Sequence, residues 1–239
     1  MQNLKRRNYE PELMDGEDIP FTEFQDFLRS LETINILTTA YRPTLRWLQK
    51  MMTAPYGEPL HILDAGCGNG DMLRRVERLA LHKKQKTVLS GVDLHPWSRQ
   101  SAEASYPVSS IRYKTADIFS FEPEEPVDFI ICSLFTHHLD DEQLIRFLSW
   151  IDEHAARGWF INDLHRHIIP YYFIKLATGM FSRNRLIRND AAVSVARAFS
   201  VADWQRMLDK AGIGGRARVQ WFFPFRLCVS CKAQSVPIQ

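Results

Sequence analysis

LDAGCGNG, at residues 63–70, is the most informative segment of this 239-residue chain for its fold. An apolar run ends at Asp64, the alternate glycines Gly66, Gly68 and Gly70 follow, and a helical pattern begins directly afterwards. Glycines at such a turn permit a tight backbone and let a ligand lie against it. The free amides at the start of a helix favour a negatively charged group such as a carboxylate. The stretch therefore predicts a ligand site at the tip of the first strand.

A second motif, GVDLHP at residues 91–96, places an acidic residue at the end of the next apolar run. In this position Asp93 can accept hydrogen bonds from both ribose hydroxyls of an adenosine ligand. An aspartate at a strand end is weak evidence by itself. Combined with the glycine loop at this spacing, it indicates a nucleoside site.

From residue 60 onward, short apolar runs alternate with helical stretches. Such alternation predicts an α/β fold whose parallel strands are buried on both faces. We predict strands at 60–64, 87–93, 110–114, 127–133 and 158–163, helices at 71–81, 97–105, 142–154 and 201–211, and a C-terminal hairpin joined at Pro224. The predicted organisation is a flexible lead (1–20), a helical cap (21–56) and a ligand-binding domain (57–239) with an insertion at about 164–199.

Three motifs together, LDAGCGNG, GVDLHP and TADIFSF (115–121), resemble the class I S-adenosylmethionine-dependent methyltransferases. The resemblance covers roughly residues 60–235. It is closest to small-molecule enzymes of bacterial quinone, polyketide and other secondary metabolism. It implies a Rossmann-like, seven-stranded, mostly parallel sheet with an antiparallel last strand. It also implies S-adenosylmethionine as cofactor and S-adenosylhomocysteine as product.

The resemblance also implies which residues bind the cofactor. Asp93 would hold the ribose, Leu94 would pack on the adenine, and Asp117 and Ile118 would hydrogen-bond its edge. Arg42 could reach the cofactor carboxylate. The remaining expected contacts are Asp64, Ala65, Gly66, Cys67, Gly68 and Gly70 at the methionine end, and Ser133, Leu134 and His138 near the sulfonium.

Candidate catalytic residues follow two strands, where ligands of open α/β sheets bind. His137 and His138 follow the fourth strand, and Asp163 and His165 the fifth. Histidine titrates near neutral pH and can take a proton from a phenol or another hydroxyl. We expect no metal ion. The alternative is a cluster of His137, His165, Asp163 and Asp140, as in metal-dependent catechol methyltransferases.

The helical cap and the insertion have no place in the minimal sheet, and the resemblance implies that they form a lid over the acceptor. We predict that Phe24, Tyr41, Tyr171 and Tyr172 bind the acceptor and that Arg166 meets an acidic group on it. Aromatic walls fit an aromatic, quinone-like or lipid-like molecule. The predicted reaction is methyl transfer to such an acceptor, with oxygen favoured over carbon or nitrogen.

Two other functions remain open: a cofactor-binding module without catalysis, and a nicotinamide-dependent oxidoreductase, which the loop spacing opposes. A net charge of +2 gives nucleic-acid binding little support. The most apolar run, 168–181, is too short to span a bilayer, and no secretory signal is visible. We therefore expect a cytoplasmic monomer or homodimer, with peripheral membrane contact possible.

Overall fold

Seven strands form one sheet in the computed structural model, which describes residues 4–16, 19–52, 57–181 and 184–233. The order across the sheet is β3-β2-β1-β4-β5-β7-β6. Only β7 runs antiparallel to its two neighbours, β5 and β6. The strands are β1 (Leu60–Ala65), β2 (Thr87–Asp93), β3 (Arg112–Thr115), β4 (Val127–Ser133), β5 (Ala155–Leu164), β6 (Arg218–Phe222) and β7 (Arg226–Lys232).

Eight helices accompany the sheet in the described residues: α1 (Phe21–Leu37), α2 (Arg42–Met51), α3 (Asp71–His82), α4 (Pro96–Ser105), α5 (Asp141–His154), α6 (Ile168–Phe181), α7 (Arg185–Arg197) and α8 (Val201–Lys210). The predicted α/β class, the mostly parallel sheet and the antiparallel last strand are confirmed. The predicted strand 110–114 begins at Arg112, and the predicted strand 158–163 extends to both sides.

Apolar side chains on both faces of the central strands explain why the strands read as unbroken apolar runs. Phe129 and Phe160 face α2, α3 and α4, whereas Ile130 and Ile161 face α5 and α8. All four are at most 2% exposed. Burying side chains of this size on both faces contributes about 1.5–3 kcal/mol for each. This packing fixes the carboxyl ends of β1, β4 and β5 next to one another.

The insertion between β5 and α8 forms α6 and α7, which pack against each other. Helix α1 of the predicted cap packs against α7 as well. The predicted boundary at residue 56 lies in 53–56, outside the described residues. Among the described residues, no helix combines the length and apolar character that crossing a bilayer requires.

Residues 4–16 are tied to the rest of the molecule, although the sequence predicts a flexible lead at 1–20. Arg7 donates to Asp141 at 2.9 Å and to the carbonyl of Leu139 at 2.8 Å. The amides of Leu13 and Met14 donate to the carboxylate of Asp190 at 2.9 and 3.0 Å. These partners are more than 100 positions away, so no local pattern could have predicted them.

Candidate functional site

The glycine loop leaves bare backbone at the tip of β1. Gly66, Gly68 and Gly70 have φ values of 74°, 49° and 69°, a region that residues with a side chain rarely adopt. A Cβ atom built on Gly68 would meet only the side chain of Leu28, at 3.8 Å. The amide of Gly68 donates to Oδ2 of Asp93 at 2.8 Å. The first two sequence motifs therefore form one structure.

A cavity of about 340 Å³ opens beside this loop, and we call it the Asp64 cavity. Asp64 and Asp71 both line it, and Tyr41 donates a short hydrogen bond to Asp71. Burial, with the nearby charges of Asp71 and Asp93, raises the pKa of Asp64 well above its usual value. Burial likewise raises the pKa of Asp71, despite the Tyr41 hydroxyl. Asp64 is buried and Asp71 is partly buried, and two carboxylates in one cavity favour a cationic ligand.

The other predicted cofactor residues lie around the same strand tips. Ser133 and Leu134 line the Asp64 cavity, and the Ser133 hydroxyl is buried without a partner. Asp93 accepts from the amide of His95 and the hydroxyl of Ser98, both at 2.9 Å. The remaining positions are Leu94 (exposed, after β2), Asp117 (exposed, after β3), and the buried Ala65, Cys67 and Ile118.

Arg226, at the start of β7, is a buried cation that the sequence analysis missed. Its Nη1 has no partner, and its Nη2 donates to Asn35 at 3.3 Å. Burial lowers its pKa, against the opposing charge of Asp163. Arg42, predicted to reach the cofactor carboxylate, is exposed and lines neither cavity. The sequence signal that could have identified Arg226 is an arginine at the start of an otherwise apolar strand.

A second cavity, which we call the apolar cavity, adjoins the first and encloses about 890 Å³ of open space. The two share three lining residues: Asn35, Leu134 and Arg226. Helices α1, α6 and α7 supply most of its wall, including Phe27, Leu31, Ile34, Pro170, Phe173, Ile174, Ile187 and Val195. The helical additions therefore enclose a space that adjoins the Asp64 cavity at the carboxyl ends of the strands.

Glu12, His137 and His138 form a polar cluster on the wall of the apolar cavity. Nδ1 of His137 lies 2.7 Å from Asp163, and Nδ1 of His138 lies 3.3 Å from Asp15. Both Nε2 atoms face the Glu12 carboxylate, at 3.6 and 4.0 Å. Burial by itself would lower the pKa of His138. The hydrogen bond to Asp15 and the charge of Glu12 raise this pKa by more than burial lowers it, so the net shift is upward. These three residues could hold a metal ion.

The structure separates the predicted catalytic residues. His137, His138 and Asp163 lie together. His165 is half-buried and lines neither cavity, and its backbone forms an isolated β-bridge with that of Phe199. The alternative metal cluster with His165 and Asp140 does not form among the described residues. The observed cluster joins His137 and His138 to Glu12. Glu12 lies more than 120 positions before the histidines, and no sequence motif surrounds it.

The predicted acceptor residues do not line the apolar cavity. Phe24 stacks on His95 with ring centroids 3.8 Å apart, and Tyr41 lines the Asp64 cavity. Arg166 is buried and pairs with Asp203, so its charge is already matched. Tyr171 is buried among side chains of α7, and Tyr172 is 40% exposed. Phe24 belongs to α1, and Tyr171 and Tyr172 belong to α6, two helices that line the apolar cavity with other residues.

Comparisons with known proteins agree with this architecture. Residues 62–158 match the family model described as "Methyltransferase domain". The plantazolicin methyltransferase BpumL, solved in complex with S-adenosylhomocysteine (SAH), is 14% identical, with 87% of this chain and 91% of that chain covered and a TM-score of 0.63. The magnesium protoporphyrin IX methyltransferase ChlM from Synechocystis PCC 6803, with bound SAH, is 17% identical, with coverages of 82% and 83% and a TM-score of 0.54.

The glycine loop and the Asp93 motif both lie within the matched residues. Residues 62–158 therefore correspond to a methyltransferase domain. A putative O-methyltransferase from Nostoc punctiforme PCC 73102 shares the fold of this methyltransferase at 15% identity, with 87% of this chain and 59% of that chain covered and a TM-score of 0.61. No curated protein matches the chain.

This assignment confirms the family resemblance and the predicted cofactor of the methyltransferase. The oxidoreductase alternative is therefore not retained. The buried polar atoms of the Asp64 cavity fit the cofactor: Asp64 Oδ1, Ser133 Oγ and Arg226 Nη1 all lack partners. Unsatisfied buried polar atoms are rare in folded proteins, and a ligand that pairs with them explains their presence.

Proposed function

We propose that this methyltransferase transfers the methyl group of S-adenosylmethionine to an oxygen atom of a small acceptor with an apolar body. One observation carries the proposal: the Asp64 cavity and the apolar cavity adjoin at Asn35, Leu134 and Arg226. A methyl group held in the first can meet an acceptor held in the second. Such an arrangement aligns the two reactants and excludes water. Alignment of this kind can lower the activation barrier by about 7–11 kcal/mol.

Charge complementarity supports the proposed position of the cofactor in the Asp64 cavity. The carboxylates of Asp64 and Asp71 match the positively charged ammonium of its methionine part. The unpartnered guanidinium of Arg226 matches the carboxylate. Asp93 and Leu94 are proposed to hold the ribose and the adenine. The bound cofactor supplies an already activated methyl group, so the protein needs no strong electrophile of its own.

The shape and chemistry of the apolar cavity define the acceptor class. Aromatic and aliphatic side chains from α1, α6 and α7 surround most of it. They fit an aromatic, quinol-like or lipid-like body better than a sugar or a phosphate. We propose that α6 and α7 are the lid over this acceptor. The lining residues Phe27, Leu31 and Phe173 replace Phe24, Tyr171 and Tyr172 as its proposed contacts.

The polar cluster supports oxygen as the methylated atom. Glu12, His137 and His138 form a group of hydrogen-bonding side chains that a hydroxyl would meet in this mostly apolar wall. Asp163 orients the ring of His137 from behind, and we propose it as a positioning residue. His165 lies outside the cavity and is not proposed as catalytic.

Two measurements test the function. Titration calorimetry should detect binding of SAH. Incubation with S-adenosylmethionine and a panel of hydroxylated aromatic, quinol and alkylphenol acceptors should yield O-methylated products by mass spectrometry. Absence of SAH binding at millimolar ligand would overturn the cofactor site. Binding without a methylated product from any acceptor would favour the non-catalytic cofactor-binding module.

A further inference from the structure

We propose that Glu12, His137 and His138 bind one divalent transition-metal ion on the wall of the apolar cavity. One ligand atom from each residue lies within 4.8 Å of the other two. Two ligands on one ion, each bonded at about 2.1 Å, are about 3–3.5 Å apart. Nε2 of His137 lies 3.6 Å from Oε1 of Glu12, and Nε2 of His138 lies 4.0 Å from Oε2, so each histidine needs to approach the carboxylate by well under 1 Å. From the sequence alone we expect no metal ion in this chain.

Carboxylates behind both histidines are the second observation. Nδ1 of His137 lies 2.7 Å from Asp163, and Nδ1 of His138 lies 3.3 Å from Asp15. A histidine that binds metal almost always donates its other ring N–H to such a group, which fixes the tautomer and leaves the second nitrogen free to coordinate. Both rings show this arrangement, and both free nitrogens point to the same carboxylate.

The third ligand is held in place as well. The hydroxyl of Ser194 donates to Oε1 of Glu12 at 2.8 Å, and Glu12 is 5% exposed. A buried carboxylate that is fixed by α7 and faces two imidazole nitrogens is a costly arrangement without a cation. Arg197 lies 3.6 Å from Asp15 and offsets part of the negative charge of the three acidic residues around the histidines. A dication would offset more of it.

Two histidines and one carboxylate define the class of metal. This donor set suits zinc, cobalt, manganese or ferrous iron, and it leaves coordination positions open. Because the three residues line the apolar cavity, an open position faces the acceptor space. There the ion would bind the acceptor oxygen and orient it. This last step rests on the proposed function, whereas metal binding itself does not.

The test uses the full chain after chelator treatment. Calorimetry with Zn²⁺ and visible spectroscopy with Co²⁺ should show one ion per chain, and the Co²⁺ bands should report imidazole nitrogen ligands. Glu12→Gln and His138→Gln should each weaken binding at least about 100-fold, since each removes a direct ligand. Asp15→Asn, which alters only the group behind His138, should weaken it by about 10-fold.

His165→Gln is the matched control and should bind the ion as the wild type does. Each variant should keep a cooperative thermal unfolding transition and bind SAH, which separates lost metal ligands from lost folding. Absence of stoichiometric binding, or Glu12→Gln binding as tightly as wild type, overturns the site. Stoichiometric binding without methyl transfer to any acceptor keeps the metal site and overturns the proposed function. Equal transfer by metal-free and metal-loaded enzyme overturns the role toward the acceptor.

Discussion

Asp163 holds His137 through two separate hydrogen bonds. One carboxylate oxygen lies 2.7 Å from Nδ1 of the ring, and the other accepts the backbone amide of the same residue at 3.0 Å. Burial would raise the pKa of Asp163, but the charge and hydrogen bonds of His137, with those of Thr136 and the Leu164 amide, lower it below its usual value. A charged carboxylate therefore fixes the ring that faces the apolar cavity.

His137→Asn should lower turnover about 100-fold, because the acceptor loses the group that fixes its oxygen. SAH affinity should change little, since His137 does not line the Asp64 cavity. The measurement is steady-state kinetics beside calorimetry. His165→Asn is the control, expected to retain wild-type turnover. An equal loss of turnover in both variants would contradict the proposed role of His137, since His165 lines neither cavity.

Gly68→Val should abolish SAH binding while leaving a folded protein. A side chain here meets only Leu28 in the protein, so it would fill space that the ligand needs. The positive φ of Gly68 adds a backbone cost of about 1–2 kcal/mol for a residue with a side chain. Calorimetry and thermal unfolding measure the two effects separately. Retained SAH affinity would show that the ligand does not approach this loop.

Asp64→Asn should make the ligand-free protein less sensitive to rising pH. Because the pKa of Asp64 is raised in the folded state, the folded chain holds a proton that the unfolded chain releases above about pH 4. Wild-type stability should therefore fall as the pH rises from there toward the folded-state pKa. Denaturant unfolding across that range tests this, and identical pH profiles for both proteins would contradict it. The variant should also bind SAH more weakly.

Arg226→Gln should weaken SAH binding by at least about 10-fold, because a charge-assisted hydrogen bond to the carboxylate is lost. Arg42→Gln provides the matched comparison, since Arg42 is exposed and lines neither cavity. Calorimetry on both variants decides between the two arginines. A larger effect at Arg42 would restore the interpretation from sequence.

Local sequence patterns predicted the sheet and the cofactor loop well. Apolar runs such as 127–133 became buried strands, because a strand covered on both faces needs apolar side chains on both. The glycines at 66, 68 and 70 carry positive φ values, which the turn requires. Each signal is contained within a few neighbouring residues, so the sequence alone shows it.

The acceptor side could not be predicted in the same way. Asp163 and His137 are 26 positions apart, but Asp163 lies at the end of β5 and His137 follows the neighbouring strand β4, so the strand-tip rule brought them together correctly. The same rule also predicts His165 as a site residue, but His165 lines neither cavity. The direction that the chain takes after a strand decides whether a side chain there faces the cavity, and strand position alone does not give that direction. Aromatic character alone predicts Phe24, Tyr171 and Tyr172 as acceptor contacts on α1 and α6. The orientation of each helix about its own axis decides which residues face the cavity, and Phe27 and Phe173 are the aromatic residues of these helices that line it.

The sequence by itself determined the order of strands and helices, the glycine turn and the acidic residue that supports it, because these depend on periodicity and on backbone conformations that few residues adopt. Only the tertiary structure decided that Glu12 meets His137 and His138, that Arg226 is a buried cation between the cavities, and that Arg166 is paired with Asp203. Those contacts join residues far apart in the chain. Their geometry depends on how whole helices pack on the sheet, which no local pattern encodes.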